Sequence, residues 1–440
     1  MRAIMKQICL MGIALLGFAL SSQAAAKPLK IFILAGQSNM EGQAELRTLE
    51  GIAMDPATKP LYDKLVDKDG KPKVYEEVHI VAFNGSPDNP RIMEGPLTFG
   101  FGGPLREDKP RMGPEFAFGA TMYEKLQQPI LIIKTAWGGK DVYHDFRPPS
   151  AGPIFPDHSK VEPISTNRGI RSPEERIERA EKRQHKYYNA MVAHVNSVLA
   201  DPGKYSPHYD KDAGYEVAGF AWFQGFNDML QAGRDYYQAS EDKPAFALYT
   251  ELLAHFIRDV RKEFDAPKMP FVIGLMGQNG EDASEDRMIN LRKAMAATAE
   301  IPEFKGNVVA VETAPFWDER IDEILQIKTI LTAREKTYKR WKGYEELDPE
   351  GKYAERRAKF RESYVPMMER EPDKTEDRQA FRAWKQELKE KIDGYVYTPE
   401  ELNYLEANQS DGGIHYMGSG KVYSLIGEAL AKALAQIKGL

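Results

Sequence analysis

Six short apolar runs constrain this 440-residue chain more than any other feature: each is closed by glycine or a polar turn, and helix-like stretches lie between several of them. They are IFILAG from residue 31, VHIVAFNG from 78, ILIIKTAWGG from 130, VAGFAWFQG from 217, FVIGLMG from 271 and NVVAVET from 307. A strand that is apolar along its whole length needs cover on both faces, as strands of parallel sheets have. The intervening stretches EFAFGATMYEKL from 115, HKYYNAMVAHVNSVLA from 185 and ALYTELLAHFIRDVRKEF from 247 carry helical periodicity. The alternation predicts a three-layer α/β/α structure around a parallel sheet.

Two stretches break the rhythm. Residues 144–180 are rich in proline and polar groups and read as a long surface excursion after the third run. Residues 318–405 are dense in Lys, Arg, Glu and aromatics, with mixed charge and helical periodicity. They predict a charged, solvated helical insertion, with a partner-binding arm as the sharper alternative. Across the chain 60 Lys and Arg face 66 Asp and Glu, giving a net charge of −6. The signs are interleaved, which argues against a nucleic-acid footprint.

The first 26 residues place Arg2 and Lys6 ahead of an apolar stretch from Ile8 to Leu20, followed by small residues around Ala24 and Ala26. This order is that of a cleaved secretory signal, too short to span a bilayer. The mature chain, 27–440, is then expected to be soluble and exported, either secreted or periplasmic, with no membrane association. The single cysteine, Cys9, lies inside the signal, so the mature chain would contain no disulfide, thiolate nucleophile or cysteine-ligated metal.

Ligands of parallel α/β sheets bind beyond the carboxyl ends of the strands, so the residues that close each run are candidates. The first run ends in Gly36-Gln37-Ser38-Asn39-Met40, the third in Ala136-Trp137-Gly138-Gly139-Lys140, and the fourth in Gln224-Gly225-Phe226-Asn227-Asp228. One edge therefore receives a hydroxyl, two glycines that permit close backbone approach, and side-chain amides. Acyl transfer needs these parts: a serine nucleophile, and preorganised N–H donors for the oxyanion. For the base, His415 stands out among eight histidines because it lies in a glycine-rich loop, four residues after Asp411 and just before the last amphipathic helix. The plainer readings are that Ser38 caps a helix, Gly138-Gly139 is a tight turn, and Asn227 and Asp228 cap the next helix. Trp137 is either a sugar-stacking ring or core, Glu115 a wall of the site or a first-turn helix acid, and His144 a loop histidine able to line a substrate cleft.

Together GQSNMEG, TAWGGK, WFQGFND and DGGIHYMGSGK resemble the four motif blocks of the SGNH hydrolases, and within them the carbohydrate-esterase branch of sialate O-acetylesterases and acetylxylan esterases. The resemblance covers residues 30–317 and 405–435. It implies a flavodoxin-like fold and a serine esterase that removes O-acetyl groups from a carbohydrate, with an acetylated oligo- or polysaccharide as partner and no metal or organic cofactor. It implies Ser38 as nucleophile and His415 as base. Asp411 would orient His415, unless the pair is a Ser-His dyad or another acid serves. The oxyanion donors would be the amides of Ser38 and of Gly139 or Gly138, with Asn227 or Gln224. Gln37, Trp137, Glu115 and His144 are the expected substrate contacts. Two positions depart from the branch: Phe226 stands where relatives carry Glu, and Asp411 is one residue further from His415 than the usual spacing. They leave two alternatives, a carbohydrate-binding protein on an impaired hydrolase scaffold and an esterase acting on lipid or other esters.

Overall fold

A computed structural model describes residues 27–166, 169–281, 286–332, 348 and 350–440, so the expected signal at 1–26 lies outside the described residues. One sheet organises the chain. Its strands are β1 (Leu29–Gly36), β2 (Tyr75–Ser86), β3 (Asn89–Leu97), β4 (Ile130–Ala136), β5 (Tyr215–Phe223), β6 (Phe271–Gly274) and β7 (Val308–Val311). Their spatial order is β7-β6-β5-β1-β4-β2-β3. Every neighbouring pair is parallel except the hairpin of β2 and β3. The six apolar runs became the parallel strands. The antiparallel β3 departs from the purely parallel expectation: it is an edge strand, largely exposed, with Pro90 and Pro96, the composition that an edge tolerates and a central strand does not.

The helices used below are α1 (Ser38–Glu41), α2 (Glu115–Leu126), α3 (Lys186–Leu199), α4 (Ala247–Glu263), α5 (Asp286–Ala299), α6 (Glu319–Thr332), α7 (Ala354–Met368), α8 (Arg378–Val396), α9 (Pro399–Asn408) and α10 (Gly420–Ile437). Successive strand residues point to opposite faces, and the aromatic contacts follow that rule. On one face Phe32 of β1 meets Phe118 of α2 edge-on at 5.7 Å. Beside it the bare Cα of Gly219 leaves room for Leu434 of α10. On the other face Phe220 of β5 meets Phe256 of α4 at 5.9 Å, and Phe256 meets Tyr188 of α3 at 5.7 Å. The result is the expected three-layer α/β/α architecture.

The 144–180 excursion is partly regular, with an antiparallel pair Ile164–Thr166 and Gly169–Arg171 followed by a helix from Pro173 to Arg183. Ser172 and Glu175 close a reciprocal capping box on that helix, which fixes where it starts. The charged insertion is helical as expected, comprising α6 to α9, with residues 333–347 and 349 outside the described residues. Ile324, Ile327, Leu331, Phe360, Val396 and Tyr397 give it a small core of its own. No helix among the described residues is long and apolar enough to cross a membrane.

One charge interrupts the apolar core. Lys134, in the middle of β4, is buried and donates to the Glu41 carbonyl at 2.8 Å, the Phe101 carbonyl at 2.8 Å and the Glu115 carboxylate at 2.6 Å. Burial pulls its pKa down, opposed by the charges of Glu115 and Glu41. Removing one partner of a buried pair leaves an uncompensated charge, which costs about 3–5 kcal/mol. Glu115→Ala is expected to lose that much stability by urea denaturation, and a loss of about 1 kcal/mol or less, the scale of an ordinary substitution, would show that the pair does not anchor the fold.

Candidate active site

The end of β1 turns sharply because Gly36 lies against β5: a Cβ there would stand 2.2 Å from the Phe223 carbonyl oxygen. The chain then enters the one-turn helix α1, with Ser38 as its first residue and Gln37 as its cap. Gln37 is fully buried, and its Oε1 accepts the N–H groups of Gly225 at 3.1 Å and Asn227 at 3.3 Å. It ties the end of β1 to the end of β5. Ser38 itself is half-buried, and its hydroxyl has no hydrogen-bond partner among the described residues.

Gly138 lies beside this serine, and a Cβ built on it would sit 3.5 Å from Ser38 Cβ and 3.2 Å from Glu41 Oε2. The Glu41 carboxylate lies near the Gly138 N–H and accepts from Asn84 Nδ2. Burial raises the pKa of Glu41, opposed by that N–H, by Lys134, by Asn84 and by the nearby His415. The next residue, Gly139, is exposed and adopts φ +74°, with open space around it. Its conformation, not its small size, demands glycine. No hydrogen bond among the described residues engages its N–H.

From the fourth run come two amides with different fates. Gln224 is fully buried, and its Nε2 donates to the Lys140 carbonyl at 3.0 Å and to Asp228 Oδ2 at 2.6 Å. Its amide is thus occupied inside the protein. Asn227 is half-buried, and its Nδ2 makes one long contact of 3.4 Å to the Lys140 carbonyl. Asp228 is fully buried and accepts from the Val142 N–H at 3.0 Å, the Tyr143 N–H at 3.3 Å, Gln224 and the Tyr237 hydroxyl. Burial, and then the negative Asp141 nearby, push its pKa up to about 7 against those donors. Its position locks the loop after β4 onto the turn after β5.

The histidine loop arrives from the opposite direction, after α9. His415 Nδ1 lies 3.2 Å from Asp411 Oδ2, so the wider spacing of the pair still brings the two side chains into contact. That bond is the main cause that lowers the Asp411 pKa. Gly412 does not supply the accommodation, since its φ of −83° is open to any residue. The loop closes instead through Tyr416, Met417 and Gly418, with φ of 50°, 58° and 59°, a left-handed run that non-glycine residues adopt only when held there. The hold is visible: the buried Tyr416 hydroxyl accepts the Gly277 N–H at 2.6 Å and bonds Thr313 Oγ1 at 2.8 Å, at the ends of β6 and β7. Tyr423 of α10 connects its hydroxyl to the His415 carbonyl at 3.2 Å and to Asn39 Oδ1 at 3.4 Å, so the loop is tied to the residue after Ser38.

Three of the expected substrate contacts are not at the surface of the cleft. Gln37 is a buried staple between strand ends, and Glu115 is consumed by Lys134 and by the Gly113 N–H at 2.9 Å. Trp137 is 3% exposed, with its ring against Tyr187 at 5.4 Å and Phe146 at 6.1 Å, so it is core and not a sugar platform. His144 is half-buried, with Nδ1 within 3.1 Å of Asp141 Oδ2, and lines a separate cavity. Among the oxyanion candidates, Gln224 is excluded by its bonds, while Asn227 and Gly139 retain donors. Two residues of the site had no role in the sequence reading. Glu41 stands within the quoted GQSNMEG block, and Arg111, 3.7 Å from Asp411, carries no motif.

Comparison with known proteins places a match to a family described as carbohydrate esterase, sialic acid-specific acetylesterase, over residues 28–315. No curated protein matches. Among solved structures, an Arabidopsis thaliana protein is similar at 19% identity and a TM-score of 0.34, over 65% of this chain and 86% of that one. A carbohydrate acetylesterase from Xanthomonas citri is similar at 13% identity and a TM-score of 0.32, over 64% of this chain and 49% of that one.

Proposed function

Since this chain belongs to the sialic acid-specific acetylesterase family of carbohydrate esterases, we propose that it removes O-acetyl groups from a carbohydrate through an acyl-serine intermediate. The observation that carries this reading is the Asp411–His415 contact at 3.2 Å on a loop tied to Asn39, the neighbour of Ser38. A serine hydroxyl attacks only when a base removes its proton, and the base works only in the tautomer that leaves its second nitrogen unprotonated. Asp411 on Nδ1 selects that tautomer. His415 Nε2 then takes the Ser38 proton as the oxygen adds to the acetyl carbonyl. Hydrogen bonds between catalytic groups are often long before substrate arrives, which accords with the unpartnered Ser38 hydroxyl.

The oxyanion is held by the N–H groups of Ser38 and Gly139 and by the Asn227 amide, donors that no other described group fully occupies. The C–O bond to the sugar breaks, and the sugar oxygen leaves with the proton from His415. Water, deprotonated by the same imidazole, attacks the acetyl-serine and releases acetate. Glu41, beside Gly138, is the residue to which this reading gives the positioning of that loop.

Ser38→Ala is expected to abolish release of acetate from an acetylated glycan and from a chromogenic acetate ester while the circular dichroism spectrum is retained. Activity near wild type would remove Ser38 from the chemistry. Asp411→Asn is expected to lower kcat steeply, by up to about 10⁴-fold as in triads whose tautomer is reversed. A fall of only a few-fold would favour a Ser-His dyad. For export, the reading is that a signal within residues 1–26 is cleaved, and that the mature protein begins near Ala25 or Lys27. Intact mass of the protein recovered outside the cytoplasm tests it, and a retained Met1 would overturn it.

A further inference from the structure

A cavity of about 220 Å³ is walled by the 144–180 excursion with Tyr143 and Arg183 at its two ends, and by Gln231, Arg234 and Tyr236 from the segment after β5. Its wall is basic. Arg176, Arg179 and Arg183 stand at intervals of three and four residues along the helix from Pro173 to Arg183 and so share one face. Arg171 precedes that helix and Arg234 comes from across the cavity. Between Arg176 and Arg183 the wall residue Ala180 is small, which leaves the space open. The stacked rings of Tyr143 and Tyr236, 3.7 Å apart and 2° from parallel, add an aromatic surface.

The charges are not balanced within the protein. Arg183 binds both carboxylates that approach the cavity, Asp141 at 2.9 Å and Asp145 at 2.5 Å, and His144 uses Asp141 as well. Arg176 donates to the Glu162 carbonyl and lies over the Phe155 ring at 5.2 Å. Arg171, Arg179 and Arg234 form no ion pair with a described carboxylate. The pKa of Arg179 is lowered by burial and then by the charges of Arg183 and Arg171, against the smaller opposing pull of Asp145 and Asp141. Like charges gathered around a concavity are stabilised when an anion enters, and guanidinium forks match the paired oxygens of carboxylate and sulfate.

The cavity also communicates with the chemistry. Asp141 is three residues after Gly138 and so at most about 11 Å from it along the backbone. Gln231 of the cavity wall donates to Asp141 Oδ2 at 2.8 Å and to the Asn227 carbonyl at 3.3 Å. Both contacts set the cavity wall against the Asn227 turn of the candidate site.

We propose that this cavity is a subsite for an anionic sugar, carboxylate or sulfate, of the acylated glycan. It rests on the reading of the neighbouring site as one for carbohydrate. The test is binding, by titration calorimetry on the full mature chain at low salt, of oligogalacturonate and a sialylated oligosaccharide as carboxylate probes, a sulfated galactan oligosaccharide as sulfate probe, and a neutral xylo-oligosaccharide. At least one acidic probe is expected to bind tenfold or more tightly than the neutral one, and which one it is separates carboxylate from sulfate. The double variant Arg179→Gln, Arg234→Gln, both residues exposed, is expected to erase that difference, whereas Lys182→Gln, at an exposed residue that does not line the cavity and pairs with Glu178, retains it. Equal affinity for acidic and neutral probes, no binding of any acidic probe, or undiminished acidic binding by the double variant would each overturn the proposal. Because binding requires no turnover, titration and acetate release on the unaltered chain separate the two readings: a chain that prefers the acidic probe through Arg179 and Arg234 yet releases no acetate from any acetylated glycan would sink the esterase reading alone, and one that releases acetate without that preference would sink the subsite alone.

Discussion

A buried ammonium fixes the frame on which the site hangs. Lys134 stands in β4 among residues that are otherwise apolar, and an isolated charge there would be prohibitively costly. An ammonium has three donors, and the protein supplies three acceptors: the carbonyls of Glu41 and Phe101 and the carboxylate of Glu115. Each acceptor belongs to a different segment. Glu41 closes the turn that begins with Ser38, Phe101 belongs to the loop that covers it, and Glu115 opens α2. Satisfying one charge therefore locks the Ser38 turn against the central strand and against the helix layer. Next to it the backbone of Gly42 runs so close to Gly113 that a Cβ at Gly42 would stand 1.9 Å from the Gly113 Cα. The ion pair and the bare backbones are parts of one contact.

The rest of the site follows the same logic of buried polar groups that must find partners. Gln37 is needed at the end of β1 because the turn after β5 leaves two N–H groups facing it. Asp228 accepts from the loop after β4 for the same reason. These contacts hold the three strand ends at fixed separations without using the groups left open to a substrate. The Ser38 hydroxyl, the Gly139 N–H and the Asn227 amide stay available because their neighbours take the structural bonds.

This division explains what the sequence made legible. Apolar runs declare strands, and a motif at a strand end declares a site, so the sheet, the layers and the Ser38 and His415 loops followed from the chain. A strand end does not declare which way each side chain points. Gln37, Trp137 and Glu115 lie next to the motif residues yet turn inward, and the sequence reading assigned them to substrate. Lys134 was read as part of an apolar run, and its partner carbonyl at Glu41 is 93 residues away, beyond any local pattern. The edge strand β3 was missed because prolines and exposed polar residues make it look like a loop. The arginines after residue 170 fell in a stretch read as a surface excursion, and the helix face that gathers them came only with the structure. What that face looks onto depends on Arg234 and Tyr236, contributed by a different strand end.

The placement of His415 relative to Ser38 comes from an interaction between the segment that follows Ser38 and the segment that precedes His415. Arg47, a few residues beyond Ser38, donates to the Gln409 carbonyl at 2.6 Å and to the Glu406 carbonyl. Ser410 Oγ donates to the Gln43 carbonyl at 3.1 Å and accepts the Glu45 N–H at 3.1 Å. Behind them α9 is capped by Thr398 and Glu401, and Arg356 of α7 binds Glu401, so the insertion bears directly on the start of the histidine loop. Asp318 completes the connection by pairing with Lys421 of α10 at 2.5 Å and accepting from the Tyr404 hydroxyl at 3.0 Å. A stretch that resembles a solvated appendage in the sequence thus braces the loop from which His415 reaches the cleft, and its charges are spent on holding that loop as well as on solubility.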